Sequence, residues 1–409
     1  MLTRSAKALG KGAHTKVTEA TIKAATLTKR GAARVRAGHP WVYRSDVAEA
    51  VGDAGDVVRI VDRNGRFLGR AFYNPKSQIT LRVATREDEE IDKTWLRNRL
   101  ETARAYRDSL TIDASAYRLL HAEADGIPGL VVDRYGDYLV LQVGSLALER
   151  RLAPIVAALE DLLAPAGILL RGDTTARRRE GLAAKVEVLS GEVPESVVAR
   201  EGQVRYQARL RTGQKTGGFL DQRENHLAAA SYAGGAGRVL DVFSYAGGFA
   251  LHAARVAEHV EAVDSSGEAL EAARSDAELN GLLGISFTRA NAFDLLRERS
   301  DRGERYDTVI LDPPAFAKTK RELPGAVRAY KEINLRAMKL LESGGVLVTC
   351  SCSYQLSRET MEETLRSAAA DAGRTVRVRE WRGQALDHPE ILTIPETRYL
   401  KCAVLERPS

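Results

Sequence analysis

The run Cys350-Ser351-Cys352-Ser353 holds the residues best suited to covalent chemistry in this sequence. A thiolate is a strong nucleophile when its pKa is lowered and it can be reached. Cysteine in an apolar strand is usually a small core residue instead. The two thiols are two positions apart, so they point the same way if the strand Val346 to Thr349 continues through them, and at most one is expected to react. Cys402, inside the apolar run Leu400 to Leu405, reads as core. A second chemical feature is Asp312-Pro313-Pro314-Ala315-Phe316, directly after the apolar run Tyr306 to Leu311. Two prolines stiffen that loop, and the Asp312 carboxylate can hydrogen-bond the edge of a substrate base.

Two further acids point to a small ligand. Val239 to Gly248, VLDVFSYAGG, is a β-branched apolar run with a Gly pair, and Phe249 to Ala257 reads as a helix. Strand, Gly-rich turn and helix open a doubly wound sheet. Asp264 ends the next apolar run, 23 residues after Asp241. An acid there can accept hydrogen bonds from both ribose hydroxyls. The G-x-G-x-x-G spacing of a pyrophosphate site is absent. Asp241 before the turn would repel phosphate but suits the amino group of a methionine-derived sulfonium, so the expected cofactor is S-adenosylmethionine rather than NAD. The plain alternative is a structural turn. Phe243, Ser244, Gly247 and Ser266 complete the expected lining. In the loop Thr212 to His226, Lys215, Thr216 and Gly217 can lie against the ligand, and Lys215 with Arg223 can hold its carboxylate. The alternative there is a capped helix entry with surface charges. After the strand Ile285 to Arg289, Asn291 or Phe293 is placed over the adenine.

These residues need a scaffold, and the chain of 409 residues is long enough for two or three domains. Residues 1–23 read as a basic leader. Residues 24–92 form a small β domain with an Asn64-Gly65 hairpin signal. Residues 93–190 form an α+β module, and residues 191–409 the catalytic α/β domain. Formal net charge is +6, and residues 1–50 alone hold ten Lys and Arg against three Asp and Glu. A basic arm on a nearly neutral body suggests nucleic acid; a solvated tail is the alternative. Aromatics at Trp41 and Tyr43 lie among Arg34, Arg36 and Arg44, which suits stacking on RNA bases. Trp41 itself is expected in the core. Three cysteines make no disulfide framework, no His and Cys spacing resembles a zinc site, and no long apolar span or signal peptide is present. The expectation is a cytosolic protein with reduced thiols, no metal and no membrane segment.

With these stretches in hand, the chain resembles the bacterial large-subunit (23S) rRNA cytosine-5 methyltransferase I family over nearly its whole length. The resemblance is carried, in collinear order, by GHPWVY, EADGIPGLVVDRYGDYLVLQ, GQKTGGFLDQREN, DVFSYAGGFALHA, VDSSGEALEAARSDAELNG, DPPAFAKTK, TCSCS and DHPEILTIPETRYLK. It implies an α/β fold: a C-terminal Rossmann-like class I methyltransferase with an N-terminal PUA β-barrel and a central α+β domain. It implies S-adenosylmethionine as donor, a cytosine of 23S rRNA as substrate, and Cys352 as the nucleophile, with Cys350 at a usually apolar position. Many other RNA cytosine-5 methyltransferases place a second Cys after the fourth strand; here that loop reads Asp312-Pro313-Pro314-Ala315. Cytosine C5 is a poor nucleophile until a thiolate adds at C6, which fits these residue types. The base that removes the C5 proton is not assignable from the sequence. Two other readings stand beside this one: a guanine-N7 rRNA methyltransferase of a related branch, and a non-enzymatic RNA-binding assembly factor. A homodimer is left open.

Overall fold

The computed structural model describes residues 23–235 and 237–409. The basic leader expected at residues 1–23 lies, save for its last residue, outside them. The first sheet is built from β1 (Ala24–Leu27), β2 (Trp41–Tyr43), β3 (Val47–Val51), β4 (Val57–Val61), β5 (Phe67–Tyr73) and β6 (Ile79–Thr85), in the order β2-β6-β5-β4-β1-β3. Helix α1 (Lys29–Arg36) packs on it. Asn64-Gly65 does turn the chain between β4 and β5: Gly65 has φ 77°, and Asp62 Oδ1 accepts the N–H groups of Asn64 and Arg66. Trp41 is not in the core. It is half-buried, and its indole N–H donates to Glu123 at 2.8 Å, because an indole needs a polar partner at its edge.

After α2 (Lys93–Asp108) comes a second sheet of β7 (Ala116–His121), β8 (Leu130–Tyr135), β9 (Tyr138–Val143), β10 (Gly167–Arg171) and β11 (Val186–Gly191). The helical stretch after β9 is broken at Arg150-Arg151 into α3 (Leu146–Glu149) and α4 (Leu152–Leu163), and α5 (Thr175–Arg179) follows β10. A hairpin, β12 (Ser196–Glu201) with β13 (Val204–Arg209), leads to α6 (Arg223–Ala233).

The third sheet positions the site. Its strands are β14 (Arg238–Val242), β15 (His259–Asp264), β16 (Ile285–Arg289), β17 (Tyr306–Leu311), β18 (Leu341–Ser351), β19 (Arg377–Arg382) and β20 (Lys401–Glu406), ordered β16-β15-β14-β17-β18-β20-β19. Strands β14 to β18 run parallel, and β20 alone is reversed, pairing antiparallel with β18 on one side and β19 on the other. The helices are α7 (Gly248–Ala253), α8 (Gly267–Leu279), α9 (Ala292–Arg302), α10 (Leu323–Leu340) and α11 (Arg358–Ala372). Leu240, Val242, Val309, Leu311 and Leu347 are all essentially inaccessible, as strands covered on both faces must be. The strand order reverses between β14 and β17, so the carboxyl ends of these strands open on one crevice. No described helix is long and apolar enough to cross a membrane.

Candidate active site

At the end of β14 the chain makes a tight turn. Phe243 (φ 65°), Tyr245 (φ 49°) and Gly247 (φ 80°) all lie in the left-handed region. For residues with a Cβ this conformation costs about 1–3 kcal/mol and persists only where its surroundings hold it. Here Ser244 N–H donates to Val263 O at 3.0 Å, and Tyr245 N–H donates to Asp264 Oδ2 at 2.9 Å. Asp264 also accepts from Ser266 N–H through Oδ1 at 2.9 Å. Each carboxylate oxygen keeps a second lone pair, so the half-buried Asp264 can still receive two hydroxyls.

Asp241 is fully buried. Its Oδ2 accepts from Ala250 N–H at 3.0 Å, while Oδ1 has no partner among the described residues. Ser244 Oγ beside it is likewise buried without a partner. Such an orphaned polar atom costs about 1–3 kcal/mol, so a native structure that keeps one invites a ligand to complete it. An acceptor with no donor is the complement of an ammonium group. Burial, and then the charge of Asp312, push the Asp241 carboxyl up to about 7. The residues therefore fit the methionine end of S-adenosylmethionine, and Asp264 fits its ribose.

An aromatic wall follows. Phe316 stands between Phe243 and Phe293, with ring centroids 6.3 and 5.9 Å away. Phe316 ends the Asp312-Pro313-Pro314-Ala315-Phe316 stretch, where the sequence alone gives no sign of its place in this wall. Asn291 is exposed, and its side-chain oxygen caps α9 by accepting from Phe293 and Asp294 N–H, which leaves Phe293 as the apolar surface at this turn.

The loop before α6 differs from expectation. Arg223 is buried and its guanidinium is bound by Asp387, at 3.0 and 3.1 Å, and by Glu224 at 2.7 Å. Committed to two carboxylates, it is not free to hold a third. Thr216 is buried against β8, donating to Asp133 at 2.6 Å and bonding Tyr135 at 3.0 Å. Gly217 has φ 138°, and a Cβ there would meet Leu210 and Tyr135 at 3.3–3.4 Å. Both join the loop to the second sheet. Lys215 alone stays exposed at the edge, paired with Asp221 at 2.7 Å over the Phe219 ring. Behind the turn sits a group that sequence spacing did not reveal. His226 Nδ1 and His252 Nε2 both lie against Glu201 Oε1, at 2.8 and 3.1 Å. A Cβ on Gly248 would come within 2.6 Å of the His226 ring, so this position must be glycine.

Strand β18 ends at Ser351, and this separates the two thiols. Cys350 is paired across the ladder with Cys402 and fully buried, and the Cys402 thiol and burial hold its pKa well above the ordinary value. Cys352, past the end of the strand, is exposed. Its neighbours are anchored: Ser351 Oγ donates to Tyr330 Oη at 2.9 Å, and Tyr330 Oη lies 3.1 Å from Ser353 Oγ. The expectation of a lowered thiol pKa is not met. Partial burial in the crevice and the nearby Asp312 raise it. Asp312, half-buried at the end of β17, is itself raised to about 6 by burial, with His226 opposing. A cavity of about 270 Å³ lined by Arg238, His259, Glu261 and Tyr306 lies at the opposite, amino end of the strands, away from all these groups.

Residues 173–377 match the family described as S-adenosylmethionine-dependent methyltransferase, and residues 25–86 the PUA-like domain family. Fold and site thus define an S-adenosylmethionine-dependent methyltransferase. A solved SAM-dependent methyltransferase from Streptococcus mutans has the same fold, with a TM-score of 0.80 at 19% identity, covering 94% of this chain and 99% of that one. A methyltransferase solved in complex with SAH gives a TM-score of 0.82, again at 19% identity and with the same coverage of both chains. The ribosomal RNA large subunit methyltransferase I of Shigella boydii is 41% identical over 372 residues, 89% of this chain and 94% of that protein. The chain belongs to the ribosomal RNA large subunit methyltransferase I family.

Proposed function

We propose that this methyltransferase forms 5-methylcytosine in 23S rRNA through a Cys352 adduct at C6 of the base. Relatives named for large-subunit rRNA support the substrate class. The observation that carries the chemistry is the exposure of Cys352, alone among the three cysteines, at the strand edge shared with Asp312. The base is held flipped out or single-stranded, since a stacked C6 cannot be reached. Asp312 binds its N3 or N4 edge. A carboxyl titrating at about 6 is partly protonated near neutrality and can donate to N3 as the ring gains electrons. The Cys352 thiolate adds to C6, C5 becomes nucleophilic and takes a methyl group, and loss of the C5 proton with elimination of the thiolate frees the product. S-adenosylmethionine supplies the methyl. Asp241 and Asp264 hold and orient it.

The domain borders proposed are 24–92, 93–190 and 191–409, with the first as RNA platform. Arg34 stacks on Tyr43 there, 4.7 Å from the ring centre. The experiment is mass spectrometry of nuclease fragments of 23S rRNA incubated with the protein and S-adenosylmethionine. A single methyl on a cytosine is expected; a methylated guanine would replace this reading by the N7 one.

A further inference from the structure

The proposed reaction needs a group that takes the C5 proton. Lys401 opens β20 and pairs with Ser351 across the β18 ladder, one residue before the thiol. Its side chain is buried, only 5% exposed, and makes no ion pair within 4 Å among the described residues. Instead Nζ donates to Ser353 O at 2.7 Å and to Tyr399 O at 2.9 Å. An ammonium has three donors and an amine has two donors and a lone pair. With both carbonyl bonds kept, the amine form loses nothing here, and its lone pair takes the third position. A buried lysine without a carboxylate is the kind that gives up its proton readily. Burial indeed brings Lys401 down to about 8, with the Cys352 sulfur acting the other way.

The strand order adds a stereochemical argument. Across the edge run the cofactor turn after β14, Asp312 after β17, Cys352 after β18 and Lys401 at β20. A base held at Asp312 has the methyl donor on one side and the sulfur on the other. Sulfur adds to C6 from its side and the methyl joins C5 from the opposite one, so the C5 proton is left facing the sulfur. Its acceptor must stand on that side. Asp241 and Asp264 do not. Lys215 is taken up by the Asp221 carboxylate at 2.7 Å, which also accepts from Tyr399 Oη at 2.8 Å. Asp312 is already on the base, Tyr330 is occupied by Ser351 and Ser353, and the Asp221 carboxylate is occupied by Lys215 and Tyr399.

We propose that Lys401 is the proton acceptor for C5, a role that rests on the reading of Cys352 as nucleophile. The C5–H bond breaks and its proton goes to the Nζ lone pair. The released electron pair forms the C5–C6 double bond, the C6–S bond breaks, and sulfur departs as thiolate beside the new ammonium. Water then takes the proton from Nζ and resets the site.

The test follows the covalent adduct in full-length protein with S-adenosylmethionine. With RNA carrying 5-fluorocytosine, wild type, Lys401→Met and Lys401→Arg should all trap an adduct, because fluorine blocks release whatever the base. With ordinary RNA, wild type should turn over. Both variants should stall as a methylated protein–RNA adduct released about 100-fold more slowly, the usual weight of a general base. Arginine serves because it keeps the donor bonds but does not deprotonate. Wild-type release should rise with pH through about 8, as the amine loses its proton. Normal release by either variant, or loss of the fluorocytosine adduct in both variants alone, would overturn the proposal. Absence of the adduct in wild type would overturn the Cys352 reading beneath it.

Discussion

Asp241 offers the sharpest test of the cofactor site. Its Oδ1 is buried without a partner among the described residues, and its carboxyl titrates at about 7. On the proposed pairing, the ammonium of S-adenosylmethionine needs the ionised form. One pH unit below that midpoint about a tenth of the molecules are ionised, so affinity should fall roughly tenfold between about pH 8 and about pH 6, equivalent to about 1.4 kcal/mol. Asp241→Asn should flatten this profile. It should also weaken binding at about pH 8 by roughly 10- to 150-fold, the range of a charge-assisted hydrogen bond worth about 1.5–3 kcal/mol. Stability should move the other way. A carboxyl whose folded pKa is raised contributes stability that is present below its unfolded value of 3.8 and lost as pH rises through about 7. The Tm of the cofactor-free protein should therefore fall across that window in wild type and much less in Asp241→Asn. Titration calorimetry across the range, with thermal melts in parallel, measures both. A flat affinity profile in wild type, or full affinity in Asp241→Asn, would refute the pairing.

Asp264→Ala should weaken S-adenosylmethionine binding about tenfold or more by the same calorimetry while melting remains cooperative, because two charge-assisted bonds to ribose are lost. Gly248→Ala places a Cβ within 2.6 Å of the His226 ring. It should lower the Tm and the cofactor affinity together, and Gly248→Ala with His226→Ala should recover part of the Tm.

Much of the proposed cofactor site is legible in the sequence because a parallel strand covered on both faces must be apolar throughout. Asp241 and Asp264 stand out against such runs, and the turns after them follow. What the sequence hides is partner choice across long separations. Arg223 carries the right charge for a carboxylate ligand, but its carboxylate is Asp387, 164 residues on. Thr216 looks like part of a Gly-rich ligand loop, yet Asp133 claims its hydroxyl. Lys401 opens an apolar C-terminal strand and carries no motif; only the pairing of β20 with β18 brings it beside the thiol. Glu201, His226 and His252 lie on three elements with no metal-like spacing. The separation of the thiols was half legible. Two positions apart in a continuing strand they would share a face, and the end of β18 at Ser351 sets them apart.

The central claim is that Cys352 attacks the base, and the most direct measurement is the covalent adduct with 5-fluorocytosine RNA in variants lacking one cysteine at a time. Wild type and Cys350→Ala should both trap it, the latter at a stability loss on the order of 1 kcal/mol for a small buried group. Cys352→Ala should trap none and leave cytosine unmethylated. An adduct that survives Cys352→Ala and vanishes with Cys350→Ala would contradict the account.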